Sequence, residues 1–243
     1  MSQLSALIIG GTRGVGLAFA QEALKRGITP VIIAREASAE LAPIEGRQIA
    51  ADVSTAEGLE RVLIACEAFA PTYVFWVAGS YCRGPLVEMT DEDVDRALAM
   101  HQAQMVKFIR GFHGHRLFAK KNLPGQGVYT LVVMGSISSY ALRKDEAVYA
   151  MAKAGQAAFV RQFAVELHAA MPMSRTILVN SARMAKEAGV PQTDSGGLRI
   201  DPGFVAKTVW DNISGTRPYL EINITRGNGR IDADYFPQKP ETL

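Results

Sequence analysis

The sequence predicts a single α/β domain, doubly wound around a mostly parallel sheet. Three observations carry this. Short apolar runs alternate with amphipathic helical stretches along the chain. The runs are apolar throughout, as strands buried on both faces require. A glycine-rich turn joins the first run to the first helical stretch. No internal repeat, linker or low-complexity stretch divides the 243 residues, so residues 1–243 are read as one domain.

The elements follow in order. Ala6–Ile9 is a continuous apolar run that ends in glycines, and it reads as the first strand. Val15–Arg26 is a helix with Leu17, Ala20, Ala23 and Leu24 on one face, and Gly27 is placed to end it. Pro30–Ala34 and Arg47–Ala51 are the second and third strands. Leu59–Phe69 is a helix, and Tyr73–Val77 the fourth strand. One long helix is expected over Asp91–Ala119, ended by Asn122, Pro124 and Gly125. Val128–Met134 is the fifth strand, Val148–Ala170 a helix stopped near Pro172, and Thr176–Val179 the sixth strand. Arg183–Pro202 has glycines and prolines but little periodicity, so it reads as a loop. Phe204–Ile213 is a helix and Tyr219–Ile224 the last strand.

Composition narrows the function classes. Hydrophobic residues make up 48% and charged residues 21%, which excludes a disordered chain, a collagen and a disulfide scaffold. Cys66 and Cys82 are too few for a disulfide framework or a cysteine-based zinc site. They read as ordinary thiols of a reducing compartment, and no metal is expected. Net charge is +2. The densest basic stretch, His113, His115, Arg116, Lys120 and Lys121, reads as the solvated end of a helix, and no nucleic-acid partner is expected. No apolar run approaches the roughly 18 residues of a membrane span. The N-terminus has no basic segment before its short apolar run, so a cytoplasmic protein is expected, with no membrane partner.

In a doubly wound sheet, ligands bind beyond the carboxyl ends of the strands. After strand one stands Gly10-Gly11-Thr12-Arg13-Gly14-Val15-Gly16, then a helix. Such a turn lets a pyrophosphate approach the backbone, and the helix supplies unpaired N–H groups and a positive dipole. Gly10, Thr12, Arg13, Gly14, Val15 and Gly16 are therefore candidate cofactor contacts, and the architecture is Rossmann-type. The alternative is a purely structural turn. After strand two no carboxylate precedes Glu36. Arg35 stands there instead, and Arg13 could reach the same place. Two guanidiniums suit the 2′-phosphate of NADP(H) better than the free ribose of NAD(H), unless both are solvated surface arginines. After strand three, Asp52-Val53 offers a carboxylate to an adenine amino group. It could also cap the next helix, although Ser54 and Thr55 are better placed. After strand four, Ala78-Gly79 would let a cofactor lie against the backbone, or simply form a turn.

After strand five comes Gly135-Ser136. Tyr149 follows thirteen residues later, and Lys153 four further on. The i, i+4 spacing puts both on one helix face. A nearby ammonium should lower the tyrosine pKa toward neutrality and make a general acid or base of it. Ser136 could hydrogen-bond a carbonyl oxygen. Ser136, Tyr149 and Lys153 are the candidate catalytic set. His101 could join a relay, titrate near neutrality, or be a helix histidine with a satisfied hydrogen bond. Trp76 reads as core, and Tyr140 and Arg143 lie where a substrate would pass.

These motifs together resemble the short-chain dehydrogenase/reductase family, from Leu4 to about Val179. Tyr149-Ala150-Met151-Ala152-Lys153-Ala154-Gly155 looks like the family's active-site helix and Val132–Ser136 like its serine strand. Asp52-Val53, Ala78-Gly79 and Val179-Asn180 fit as well. The resemblance implies hydride transfer between NADP(H) and a carbonyl or alcohol substrate. Tyr149 exchanges the proton, Lys153 also holds the nicotinamide ribose, and Ser136 orients the substrate. It also implies a mobile substrate loop over residues 183–202 and a homodimer or homotetramer. Four positions depart from the pattern. Trp76-Val77 replaces a pair of asparagines, His101 a helix asparagine, Met184-Ala185 a Pro-Gly, and Ile9 a threonine. These leave open a dinucleotide-binding sensor or regulatory protein with little catalysis.

Overall fold

The structure is a computed structural model that describes residues 4–36, 47–122, 127–186, 193–194, 197–225 and 228–230. Its parallel strands are β1 (Ser5–Ile9), β2 (Thr29–Ala34), β3 (Gln48–Ala50), β4 (Tyr73–Trp76), β5 (Thr130–Met134) and β6 (Arg175–Ser181). The short strands β7 (Thr193–Asp194) and β8 (Gly197–Leu198) pair with each other. Then come β9 (Tyr219–Thr225) and β10 (Asn228–Arg230). The helices are α1 (Gly14–Lys25), α2 (Ala56–Phe69), α3 (Asp91–Leu98), α4 (Gln104–Asn122), α5 (Ala147–Ala170) and α6 (Pro202–Asp211).

The main sheet runs β10-β9-β6-β5-β4-β1-β2-β3. Seven of its strands are parallel, and only β10 is antiparallel, folded back on the outer edge of β9. The expected doubly wound α/β domain is therefore present, with one edge strand more than the sequence suggested. After β1 the chain adds strands on one side, and with β4 it crosses to the other. The crevice at the carboxyl ends of β1 and β4 is the place such sheets offer a ligand.

Each strand alternates its side chains between two cores. Ile8, Phe75, Val132 and Ile177 face α1 and α6, where the Phe75 ring sits 4.7 Å from Phe19 and 5.1 Å from Trp210. Leu7, Trp76, Leu131 and Val133 face α2, α4 and α5. Trp76 is fully buried and stacks on Phe108 at 5.5 Å, the core role its strand position implied. Burial of side chains this size contributes about 1.5–3 kcal/mol each.

Three sequence readings need correction. The helix expected over Asp91–Ala119 is broken by a π-turn at Ala99–Ala103. A wide i→i+5 turn inserts one residue and re-aims the side chains around it. Here it carries His101 into the interior, where Nε2 lies 2.6 Å from the Ser80 carbonyl oxygen. The loop read over Arg183–Pro202 is not wholly irregular. Besides the β7–β8 pair, Met184 bridges to Ile200, and the Ala185 amide donates to the Ile200 carbonyl at 2.8 Å. Residues 187–192 and 195–196 lie outside the described residues. The basic stretch on α4 is also less solvated than expected. Arg116 is half-buried and donates to the carbonyls of Gly127 and Val128, both at 3.1 Å. His113 bonds Tyr129 at 2.9 Å and His115 bonds Glu67 at 3.0 Å. Burial of its stem and donation to loop carbonyls use Arg116 for the fold. The side chains of Lys120 and Lys121 lie outside the described residues, as do Pro124 and Gly125.

Candidate active site

The glycine turn is built as its sequence implies. Gly10 has φ +92°, and a Cβ there would stand 2.8 Å from the Ala78 amide nitrogen. At Gly16 a Cβ would meet the Gly10 carbonyl oxygen at 2.2 Å. The turn and the first coil of α1 can thus close on each other only without side chains. Arg13 precedes α1 and its side chain makes no capping bond, so the helix N-terminus is left for a ligand. Val15 is buried and packs inward, which makes it a support of the turn.

Beyond this turn lies a cavity of about 850 Å³. Gly10, Thr12, Arg13, Arg35, Asp52, Val53, Ala78 and Gly79 all line it. Gly14, Val15 and Gly16 lie just beneath, in the helix start. The sequence reading missed other lining residues, among them Ser54, Ser80, Arg96 and Met100. Arg96 and Met100 come from α3 and the π-turn, and no motif marks them. Asp52 spends one carboxylate oxygen locally, on the Ser54 amide at 2.9 Å and hydroxyl at 2.7 Å. These bonds, with Arg35 nearby, hold its carboxyl below the usual range. The cap of α2 is Thr55, whose hydroxyl accepts from the Gly58 amide at 3.0 Å.

A second cluster adjoins this cavity at the start of α5. Ser136 lies two residues beyond β5 and is buried beside Tyr149, which rises from the first turn of α5. Lys153, one turn on, sits 5.9 Å from the Tyr149 ring centroid. Its Nζ donates to the Met134 carbonyl at 2.8 Å and to Gln156 Oε1 at 2.9 Å. The three predicted catalytic residues are therefore together. Their electrostatics differ from the expectation that the ammonium lowers the tyrosine pKa. Burial dominates at both. It pushes the Tyr149 phenol up to about 12, against the Ser136 hydrogen bond, and draws Lys153 down to about 7.

His101 joins the two clusters. Its ring lies edge-on to Tyr149 with centroids 5.6 Å apart, and its Cε1 would be 2.5 Å from a Cβ on Gly79. Burial, then the Lys153 charge, hold it down to about 3, so it stays neutral at ordinary pH. Burial thus argues against titration near neutrality, while only half of the hydrogen-bonded reading holds: Nε2 meets the Ser80 carbonyl, but Nδ1 is buried with no partner among the described residues. The unfolded chain takes up this proton near 6.5 but the folded protein only near 3. Stability is therefore lost as pH falls through that window. His101→Asn is expected to flatten the acid limb of a urea-melt series between those two values. An unchanged slope would show that other groups set it.

A family profile for short chain dehydrogenases matches residues 5–183. The chain belongs to the short-chain dehydrogenase family. A short-chain dehydrogenase from Streptomyces avermitilis has the same fold with a TM-score of 0.78 at 16% identity, over 93% of this chain and 89% of the other. An alcohol dehydrogenase from the archaeon Thermococcus sibiricus, complexed with 5-hydroxy-NADP, gives 0.74 at 21% identity over 90% and 95%. A short-chain dehydrogenase from Mycobacterium smegmatis gives 0.74 at 20% over 94% of each. At these identities the likeness is one of fold. No curated protein matches the chain.

Members of this family are oxidoreductases that use a nicotinamide dinucleotide. The residues present fit such a group. The cradle around Gly10 and Gly16 admits backbone contact and would be filled by any Cβ. The uncapped start of α1 offers N–H groups to a pyrophosphate, and Arg13, Arg35 and Arg96 line the same cavity. Tyr140 and Leu142, between Ser136 and α5, are both exposed. No described helix is long and apolar enough to cross a membrane.

Proposed function

We propose that this short-chain dehydrogenase transfers hydride between NADP(H) and a carbonyl or alcohol substrate, with Tyr149 as general acid and base. The observation that carries the reading is the junction of two clusters. The arginine-lined cavity lies on one side of Gly79 and His101, and Ser136, Tyr149 and Lys153 lie on the other. The dinucleotide, when bound, supplies the hydride. Arg13 and Arg35 would hold its 2′-phosphate by charge-assisted hydrogen bonds, and the start of α1 its pyrophosphate. Ser136 would hydrogen-bond the substrate oxygen. Tyr149 would give that oxygen its proton, or take it back from an alcohol. With its value raised to about 12, Tyr149 is a neutral phenol at ordinary pH, the state that carbonyl reduction needs. Lys153 would lie against the nicotinamide ribose. Exposed Met151, Val165 and neighbouring small residues along α5 support pairing of two or more subunits through that helix.

The test is a binding titration with NADPH and NADH, read by nucleotide fluorescence and melting shift. Arg35→Ala is expected to weaken NADPH by about 10- to 100-fold, as loss of a charged hydrogen bond implies, and to leave NADH nearly unchanged. Failure to bind either nucleotide would overturn the reading. Binding of NADPH with no oxidation across a carbonyl panel would leave a sensor or regulatory protein.

A further inference from the structure

We propose that Glu146 is a positioning residue for Tyr149: its buried carboxylate ties together the loops that surround that phenol. The inference rests on the reading of Tyr149 as acid and base. Glu146 immediately precedes α5, the position whose side chain usually caps a helix, yet it makes no capping bond. It turns inward instead and is only 7% exposed. Its Oε1 accepts from the Tyr81 hydroxyl at 2.9 Å, and its Oε2 from the Ser138 hydroxyl at 2.7 Å. Tyr81 follows β4, Ser138 follows β5, and Tyr81 also meets Arg183, which follows β6. Two strand ends are thus linked through one carboxylate, and a third through Tyr81. Asp145, just before it, has φ +63°, a left-handed conformation that aspartate tolerates better than most residues. Its carbonyl accepts from the Gly84 amide at 2.9 Å. This second tie holds the loop after β4 against the entry to α5.

The linked groups surround Tyr149. The Tyr81 ring stands edge-on to it with centroids 4.9 Å apart. Cys82 also faces it from the loop after β4, and His101 from the π-turn. Ser136 faces it from just beyond β5, and Lys153 from its own helix. His101 is neutral, Tyr81 and Cys82 are both raised by burial, and Lys153 is drawn toward neutrality. Glu146 is the anion of this set. Its two carboxylate oxygens each accept from a hydroxyl, so neither is left without a partner in this buried place. A purely structural tie would be made as well by a glutamine. The charge matters because it favours the protonated phenol and adds to the effect of burial on Tyr149.

Glu146→Gln separates the two roles, since it preserves shape and an acceptor oxygen but removes the charge. The Tyr149 transition is found by ultraviolet phenolate titration, as the difference from Tyr149→Phe in each background. The pH profile of kcat/KM for carbonyl reduction is measured beside it. Both midpoints are expected to fall by about one pH unit in Glu146→Gln. Glu146→Asp, which draws the charge back by one methylene, is expected to fall between it and the wild type. Unshifted midpoints in a folded Glu146→Gln protein would overturn the proposal. If that variant does not fold, Glu146→Asp with wild-type midpoints would do so. A shifted titration in a protein with no turnover would support the coupling and overturn Tyr149 as acid and base, so the two readings fail separately.

Discussion

Tyr149→Phe is expected to lower carbonyl turnover by about 10²- to 10⁴-fold, the usual contribution of a positioned acid or base. NADPH affinity should change by no more than a few-fold. The substitution removes one hydroxyl and keeps the ring. The edge-on contacts with Tyr81 at 4.9 Å and His101 at 5.6 Å therefore remain. The hydrogen bond to Ser136 is lost, but the Ser138 amide still donates to Ser136 Oγ at 3.1 Å, and Lys153 is still held by Met134 and Gln156. Melting temperature should fall by no more than about 4 °C, because one hydrogen bond worth about 1 kcal/mol is lost while the ring stays. Single-turnover reduction of a carbonyl panel, with a melt and an NADPH titration on the same samples, checks all three. Turnover equal to wild type would transfer the proton to another group, with Ser136 the next to replace. A parallel loss of binding and melting would mean that the phenol supports the site and does not react in it.

The sequence carried the parts of this architecture that depend on local chemistry. A strand buried on both faces must be apolar along its length, so Ala6–Ile9 and Val132–Val133 identify themselves. The turn from Gly10 to Gly16 needs residues without side chains, and glycine is the visible mark of that need. The features it did not carry are set by distant partners. Strand β10 exists because β9 offers an open edge, and three residues hold too little pattern to announce that. The π-turn at His101 interrupts no apolar periodicity strongly enough to be read. Arg96 reaches the cavity only because that turn and α3 lie beside it. The pKa of Tyr149 shows the same limit most sharply. The spacing to Lys153 is plain in the sequence, but the burial that overrides it belongs to the assembled site. Glu146 looks like a surface residue before a helix until Tyr81 and Ser138 are seen to close on it.

Gly10→Ala is expected to cost about 3 kcal/mol or more and to remove dinucleotide binding. Two separate terms add here. The φ of +92° disfavours any side chain, and the new Cβ would press on backbone, 2.8 Å from the Ala78 nitrogen and 2.9 Å from its Cα. Neither atom can rotate away as a side-chain tip can. Relief requires β1 and β4 to part where Gly10 and Ala78 both line the cavity. Gly27→Ala is the control. Gly27 follows α1 with φ +68°, and nothing lies within 4 Å of its Cβ position. That substitution should cost about 1 kcal/mol, from φ strain alone, and leave binding intact. In a chain of this size the two would lower the melting temperature by roughly 10 °C and 3 °C. Equal losses would mean that φ strain is the whole cost at both. The approach of Gly10 to Ala78 would then cease to explain why the turn is built of glycine. A larger loss at Gly10, with NADPH binding gone, would tie the fit of β1 against β4 directly to the cradle that holds the nucleotide.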